Sequence, residues 1–435
     1  MPIDHTKILY GVLLSTFNLM VPYRALITVP VADLLGEPIS TLQKPWLPPF
    51  GYDTLPHSSG TNGRAACPRI HQLLFNEVVE VLETKKDEVK VQISNAFFIP
   101  HNTQQPHVTY WMQERALTPL SHVKLHEHCL IPPAITLHQP SSMHNKSIIT
   151  LIAPWHDTTT GMTFSAGTRF VRIEKPQHKK TVSAWRFNPS TKVCEPVKIP
   201  SMLCALSSDT NITHCIKYFI VLLRSWAQQH EGIIPYVLGG TSFSRQLTDE
   251  PLIPEVSPTD RSVQWYARKN DCHAVKCGLD CSGLILRAAQ IAGIPYFCKN
   301  TTTMMKVLQP LGPTTSIQDG DLICIPGHVL IAVDIGNNLI VEARSYEHGY
   351  GKVHELPLNK VFKDVTTFND LMQIYRTHQP IERIDIHGNV RDRFPCITIL
   401  SLVSAWSPYL NEGNGSEEII RSATPTIANA TQQIP

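Results

Sequence analysis

The chain has 435 residues, 42% of them hydrophobic and 17% charged, with 38 Lys and Arg against 36 Asp and Glu. That composition excludes a wholly disordered chain, and a formal net charge of +2 makes no electrostatic case for nucleic acid or a strongly acidic partner. The length exceeds one ordinary core, and 11 cysteines, an odd number without repeated spacing, leave at least one thiol unpaired within a single chain.

At the N-terminus, Lys7 precedes an apolar run from Ile8 to Val21, and Arg24 and Ala25 follow. The run is short for a bilayer span (about 20 residues) but suits the core of a secretory leader over residues 1–25. The competing reading is a first strand or helix of the fold. No later stretch has the pattern of a membrane span.

"ALITVPVADLLGEP" reads as a strand closed by turn chemistry, and the Pro-, Gly- and Ser-rich residues 41–69 read as a long loop. "QLLFNEVVEVLETKKDEVKVQI" (72–93) alternates apolar and polar residues on both sides of "TKKDE", the pattern of a β-hairpin. "VTYWMQERAL" (108–117) adds a strand, giving a small β-barrel over residues 26–125. "SIITLIAPW", "MTFSAGTRFVRIEK" and "TVSAWRFN" predict a second small β domain over 126–205, with "VCEPVKIPSMLCAL" as its exit.

From about Asn211 the period changes. Ile216, Phe219, Ile220, Leu223 and Trp226 share one helical face. Residues 244–278 are polar and aperiodic, an insertion or a mobile loop before a second helix. In "GLDCSGLILRAAQIAGIPY" (278–296), Asp280 stands at the cap, Cys281 opens the first turn, and Gly293 and Pro295 stop the helix. A helix N-terminus favours an anion, so this placement predicts a thiol with lowered pKa. Three strand candidates follow, "GDLICIP", "HVLIAVDIG" and "NLIVEARS", which gives an α+β arrangement.

A nucleophilic thiol needs a base, and a base needs a group that orients it. His328 opens a strong strand just after a Pro-Gly turn, and Glu342 lies on the next strand, where a turn at "GNN" returns it beside His328. Each residue taken alone is ordinary: buried cysteines are common, there are 20 histidines, and Glu342 suits a solvated strand face. The ordered combination points to catalysis. A metal reading competes, because Cys272, His273, Cys277 and Cys281 lie close together; their spacing lacks two C-x-x-C knuckles and no second cluster follows.

"LDCSGL", "GDLICI" and "HVLIAVDIGNNLIVEA" resemble the NlpC/p60 cysteine peptidases of bacterial cell-wall metabolism, and "PYVLGGTSF" is similar to the segment that precedes their nucleophile. The resemblance covers about residues 210–365. It implies a papain-like NlpC/p60 catalytic domain (206–378) of α+β class, preceded by two small all-β SH3-like barrels and followed by a C-terminal extension (379–435). It further implies γ-D-glutamyl-L-diamino acid endopeptidase activity on peptidoglycan stem peptides or muropeptides with a free N-terminal L-Ala. No cofactor, metal or nucleic acid is implied, and the chain would act as a monomer. In this resemblance Cys281 is the nucleophile and His328 the base. Glu342 is the third member by alignment of "VEA", with His348 and His354 as alternatives. Asp280 and Ser282 would bind the substrate amine and backbone, Tyr236 would line the pocket, and Glu77 and Tyr110 would reach substrate from the first β module. Leu238 stands where the family usually has Trp, and the spacing from the Gly pair to Cys281 is long. Location follows the leader: cell envelope if 1–25 is one, cytoplasm otherwise. The alternatives are a thiol amidase or acyltransferase on the same fold, or a non-catalytic wall-binding protein.

Overall fold

The computed structural model describes residues 21–42, 51–52, 55, 67–100, 105–123, 131–136, 145, 147–173, 180–205, 211–228, 234–243, 277–345 and 351–410. The chain is mixed α and β, and its sheets are antiparallel. Among the described residues no helix is long and apolar enough to cross a membrane.

The first β module contains β1 (Tyr23–Ile27), β2 (Val31–Leu35), the short helix α1 (Ile39–Leu42), β3 (Arg69–Leu74), β4 (Val78–Lys85), β5 (Glu88–Gln92), β6 (Thr109–Gln113) and β7 (Leu117–Pro119). The expected hairpin is β4 and β5, paired from Glu80↔Gln92 to Lys85↔Glu88 around Lys86 at φ 58°. Residues 72–77 are not part of it; they end β3 and turn at Asn76, φ 68°. The seven strands run β3-β2-β6-β5-β4-β1-β7, an open sheet rather than the expected closed barrel. Its β3 edge is covered instead by residues from later in the chain. Thr241 Oγ1 accepts from Gln72 N at 3.2 Å and donates to Gln72 O at 2.8 Å. A covered edge needs no closing strand. Tyr23, Arg24 and Ala25, assigned to the leader, belong to β1, where Ala25 is fully buried opposite Val79. Residues 1–20 lie outside the described residues.

The second module contains β8 (Ile148–Leu151), β9 (Trp155–Asp157), β10 (Met162–Phe164), β11 (Arg169–Arg172), β12 (Thr181–Asn188), β13 (Val193–Pro200) and β14 (Cys204–Ala205). "MTFSAGTRFVRI" is two strands, because Gly167 turns the chain at φ 90°. The expected exit, "VCEPVKIP", is a full partner of β12, paired from Thr181↔Pro200 to Asn188↔Val193. The sheet order β13-β12-β11-β8-β14 leaves this module open as well. Phe75, Trp155, Phe164 and Phe170 pack together in its core, so a residue of the first module helps to close the second.

The third region starts with α2 (Ile212–Ala227), capped by Asn211, whose side chain accepts from His214 N. Then come β15 (Thr241–Ser242), β16 (Gly278–Leu279), α3 (Cys281–Ala292), α4 (Thr301–Val307), β17 (Leu322–Ile325), β18 (His328–Asp334), β19 (Leu339–Arg344), β20 (Lys352–Pro357), α5 (Phe368–Thr377), β21 (Ile381–Ile384), β22 (Val390–Phe394), β23 (Thr398–Leu400) and α6 (Ser407–Leu410). The central sheet is β20-β19-β18-β17-β23. Alternate residues of β18 divide its two faces: Val329, Ile331 and Val333 meet the core of α2 and α3, while Leu330 and Ala332 meet that of α5. Strand β23 and the β21–β22 hairpin fall in residues 379–435, which the sequence reading assigned to an extension; β23 is the edge partner of β17 in the central sheet. One apolar core runs without a break from Val79, Val91 and Tyr110 through Leu284 and Leu286 to Val329.

Candidate active site

Helix α3 starts where the sequence predicts. Asp280 has extended dihedrals and its side chain accepts from Gly283 N, a standard N-cap. Gly293 ends the helix at φ 79°. All twelve residues of α3 are buried, so its first turn is fixed by packing on every side. The glycines of "PYVLGG" allow this. Gly239 turns at φ +74°, and a Cβ on Gly283 would run into the Gly240 carbonyl oxygen. Tyr236 is bridged to Leu279, two residues before Cys281, and lies 9% exposed.

Cys281 stands at the first helical position and is 8% exposed. Helix α3 packs on β18, and the backbone N–H of Val329, which follows His328 on that strand, favours the thiolate form of Cys281. The expected anionic sulfur is not the resting state. Burial pushes the thiol up to about 12, and the neighbouring Asp280 carboxylate adds to the rise. The Val329 and Ser282 N–H groups and Lys299 act in the opposite direction and do not overcome it.

His328 Nε2 lies 2.6 Å from Glu342 Oε2. An ionised carboxylate only accepts, so Nε2 carries the proton and Nδ1 is the unprotonated nitrogen of the neutral ring. Burial, then Arg383, push His328 down to about 4, although Glu342 favours its charged form. Glu342 is fully buried. Burial opposes its ionisation, yet Arg383, His328 and His354 outweigh that and hold the carboxyl well below the ordinary range. His354, one of the sequence alternatives, bonds the other oxygen of Glu342, Nε2 to Oε1 at 3.0 Å. His348 lies outside the described residues.

Asp280 and Ser282 flank the sulfur as expected, but their polar atoms are already occupied. Oδ1 of Asp280 accepts from Ser282 Oγ at 2.7 Å and Gly283 N at 2.5 Å. Oδ2 accepts from Gly239 N at 2.9 Å and Lys299 Nζ at 2.7 Å. A carboxylate has about four acceptor positions, so none is left for a substrate ammonium. Lys299 also reaches Ser282 Oγ at 3.2 Å. An ammonium of the protein itself therefore occupies the place expected for that of the substrate.

Glu77 and Tyr110 are not brought to the sulfur. Glu77 Oε1 pairs with Arg287 Nη1, further along α3, at 3.5 Å, and Oε2 accepts from Leu74 N. Tyr110 is buried against Phe98 and His107, and its hydroxyl donates to His107 O at 3.0 Å. Among the described residues no group of three or more His, Cys, Asp and Glu is placed to hold a metal ion; Cys272 and His273 lie outside them.

The sequence reading missed Lys299, Arg344 and Arg383. Lys299 is placed by tertiary contacts: Phe97 bridges Cys298, and Lys299 N donates to Phe97 O at 3.0 Å. No local pattern signals that docking.

No family model matches the chain, and no curated protein matches it. Several solved structures are similar at low identity, among them the following three. A NlpC/P60 family protein from Bacillus cereus ATCC 10987 is 16% identical over 77% of this chain and 94% of its own, with a TM-score of 0.46. NlpC2 from Trichomonas vaginalis is 10% identical over 78% and 95%, with a TM-score of 0.29. NlpC1 from Trichomonas vaginalis is 10% identical over 79% and 90%, also with a TM-score of 0.29.

Proposed function

We propose that the protein is a cysteine peptidase that hydrolyses the γ-D-glutamyl to diamino acid bond of cell-wall stem peptides. The observation that carries the reading is Cys281 at the first position of α3, which packs on β18, whose first residue, His328, is oriented by the buried carboxylate of Glu342. The substrate class comes from the resemblance of the motifs around these residues.

With the thiol held up and the imidazole held down, the thiol–imidazole pair is favoured over thiolate–imidazolium. The proton therefore moves as the attack occurs. The sulfur bonds to the carbonyl carbon while His328 Nδ1 takes the thiol proton. The carbonyl oxygen gains negative charge, and the Cys281 N–H in the first turn of α3 is a donor of the kind that stabilises it. Collapse expels the diamino acid amine, which leaves with the proton from His328. Water, activated by the same imidazole, then cleaves the thioester and regenerates the thiol.

The reading covers the bond cleaved and drops the requirement for a free amine through Asp280, because Lys299 holds that carboxylate. A digest of defined stem peptides with product masses tests it. Two fragments that together gain one water are expected, and Cys281→Ala abolishes them. Products that carry an acceptor in place of water indicate acyl transfer, and full turnover in Cys281→Ala rejects the assignment.

A further inference from the structure

Glu342 serves more than one histidine. His328 Nε2 and Arg383 Nη2 meet at Oε2, while His354 Nε2 lies 3.0 Å and Arg344 Nη1 3.9 Å from Oε1. Arg383 comes from β21, outside the central sheet. Its hairpin is docked by Ile384 N on Val361 O, Lys363 N on Glu382 O, and Arg344 Nη2 on Ile384 O at 2.6 Å. Arg344 thus ties the hairpin to β19, and Arg383 ties it to the carboxylate.

A carboxylate beside a histidine ordinarily strengthens its hold on a proton. Here two guanidiniums, which do not deprotonate in proteins, share that carboxylate. The other charged groups in reach are Lys352 beside His354, and Asp280 and Lys299 on the Cys281 side. With both imidazoles neutral, the Glu342 cluster is already cationic, so a proton on His328 adds like charge.

We infer that Arg383 is a positioning residue for His328: through Glu342 the β21–β22 hairpin fixes the imidazole and keeps it unprotonated into the acid range. This rests on the reading of His328 as the base, and it makes a hairpin beyond the sequence-expected catalytic domain part of the machinery. The strong suppression of His328 protonation, for which Arg383 is the largest charge cause, agrees with it.

The test is a histidine NMR titration of the full chain, with the His328 resonance assigned by its loss in His328→Gln. Arg383→Gln removes the charge, and the His328 midpoint is expected to rise by about one pH unit or more, the usual scale for a neighbouring charge. Arg383→Lys keeps the charge but loses the fork, and its midpoint is expected between wild type and Arg383→Gln. An unmoved midpoint in Arg383→Gln overturns the proposal. If that variant does not fold, Arg383→Met, which also removes the charge, decides: a raised midpoint supports the proposal and an unmoved one overturns it. The titration reads His328 whether or not a peptide is cut, so failure of the stem-peptide digest is a separate result.

Discussion

Lys299 Nζ lies 2.7 Å from Asp280 Oδ2, and both side chains are almost wholly buried beside the Cys281 sulfur. Removing one partner of a buried pair leaves an uncompensated charge, which typically costs about 3–5 kcal/mol. Lys299→Met is therefore expected to destabilise the protein by about 3 kcal/mol in urea unfolding. The other three donors to Asp280 remain, so the loss should fall short of abolishing the fold. A change below about 0.5 kcal/mol, the scale of an exposed pair, would show that the contact is not formed in solution.

If the proposed reaction is right, the same contact should govern substrate choice. With the acceptor positions of Asp280 full, stem peptides with acetylated and free N-termini should be cut with kcat/KM within about tenfold of each other, a difference of about 1.4 kcal/mol. In Lys299→Met the freed acceptor should favour the free amine. A wild-type preference for the free amine above about a hundredfold would mean that substrate displaces Lys299.

Cys281 should be a slow thiol at rest. Only the thiolate is alkylated, and burial pushes this thiol up to about 12. Iodoacetamide labelling, followed residue by residue by mass spectrometry, should modify exposed Cys396 first at pH 7. The Cys281 rate should then rise about tenfold per pH unit through pH 9. A Cys281 rate that is already level at pH 6 would restore the anionic sulfur expected from the helix terminus alone.

That expectation shows where local reading stops. Asp280, Cys281 and Gly293 are legible because cap, first turn and αL stop depend on neighbours a few residues away. His328 and Glu342 are legible because two strands and a tight turn force them together. The strength of the helix terminus against burial is not legible, because burial is set by β18, β16 and the Gly239–Gly240 turn. The expectation for Glu77 and Tyr110 rests on their positions in the resemblance, whereas their partners, Arg287 and the His107 carbonyl, depend on module docking and loop path. Strand β23 escaped notice because three residues carry too little period to read, though pairing with β17 decides their conformation.

Glycine at 283 should prove indispensable. A Cβ there meets backbone oxygen of Gly240, which is itself packed against the Gly278 carbonyl. Neither can yield without moving the turn that carries Cys281, so Gly283→Ala should cost about 3 kcal/mol, the upper part of the overpacking range. Thermal unfolding and Cys281 labelling should change together. A variant with wild-type stability would mean that the Gly-Gly turn and α3 are further apart than the structure has them.

The Glu342 cluster also predicts acid instability with a definite sign. His328 is pushed from the ordinary 6.5 down to about 4. His354 is lowered too, first by burial. In both cases the unfolded chain takes up a proton that the folded chain refuses, so stability falls as pH drops below about 6.5. Glu342, held well below 4.5, contributes stability above that value and loses it at lower pH, which adds in the same direction. The His328 contribution alone amounts to about 3 kcal/mol by pH 4. Urea midpoints measured from pH 7.5 to 4.5 should fall steadily below pH 6.5, and His328→Gln should flatten that slope. Midpoints that stay constant across the range would require His328 and His354 to be protonated alike in the folded and unfolded chain, and the buried carboxylate would then be holding two imidazoliums.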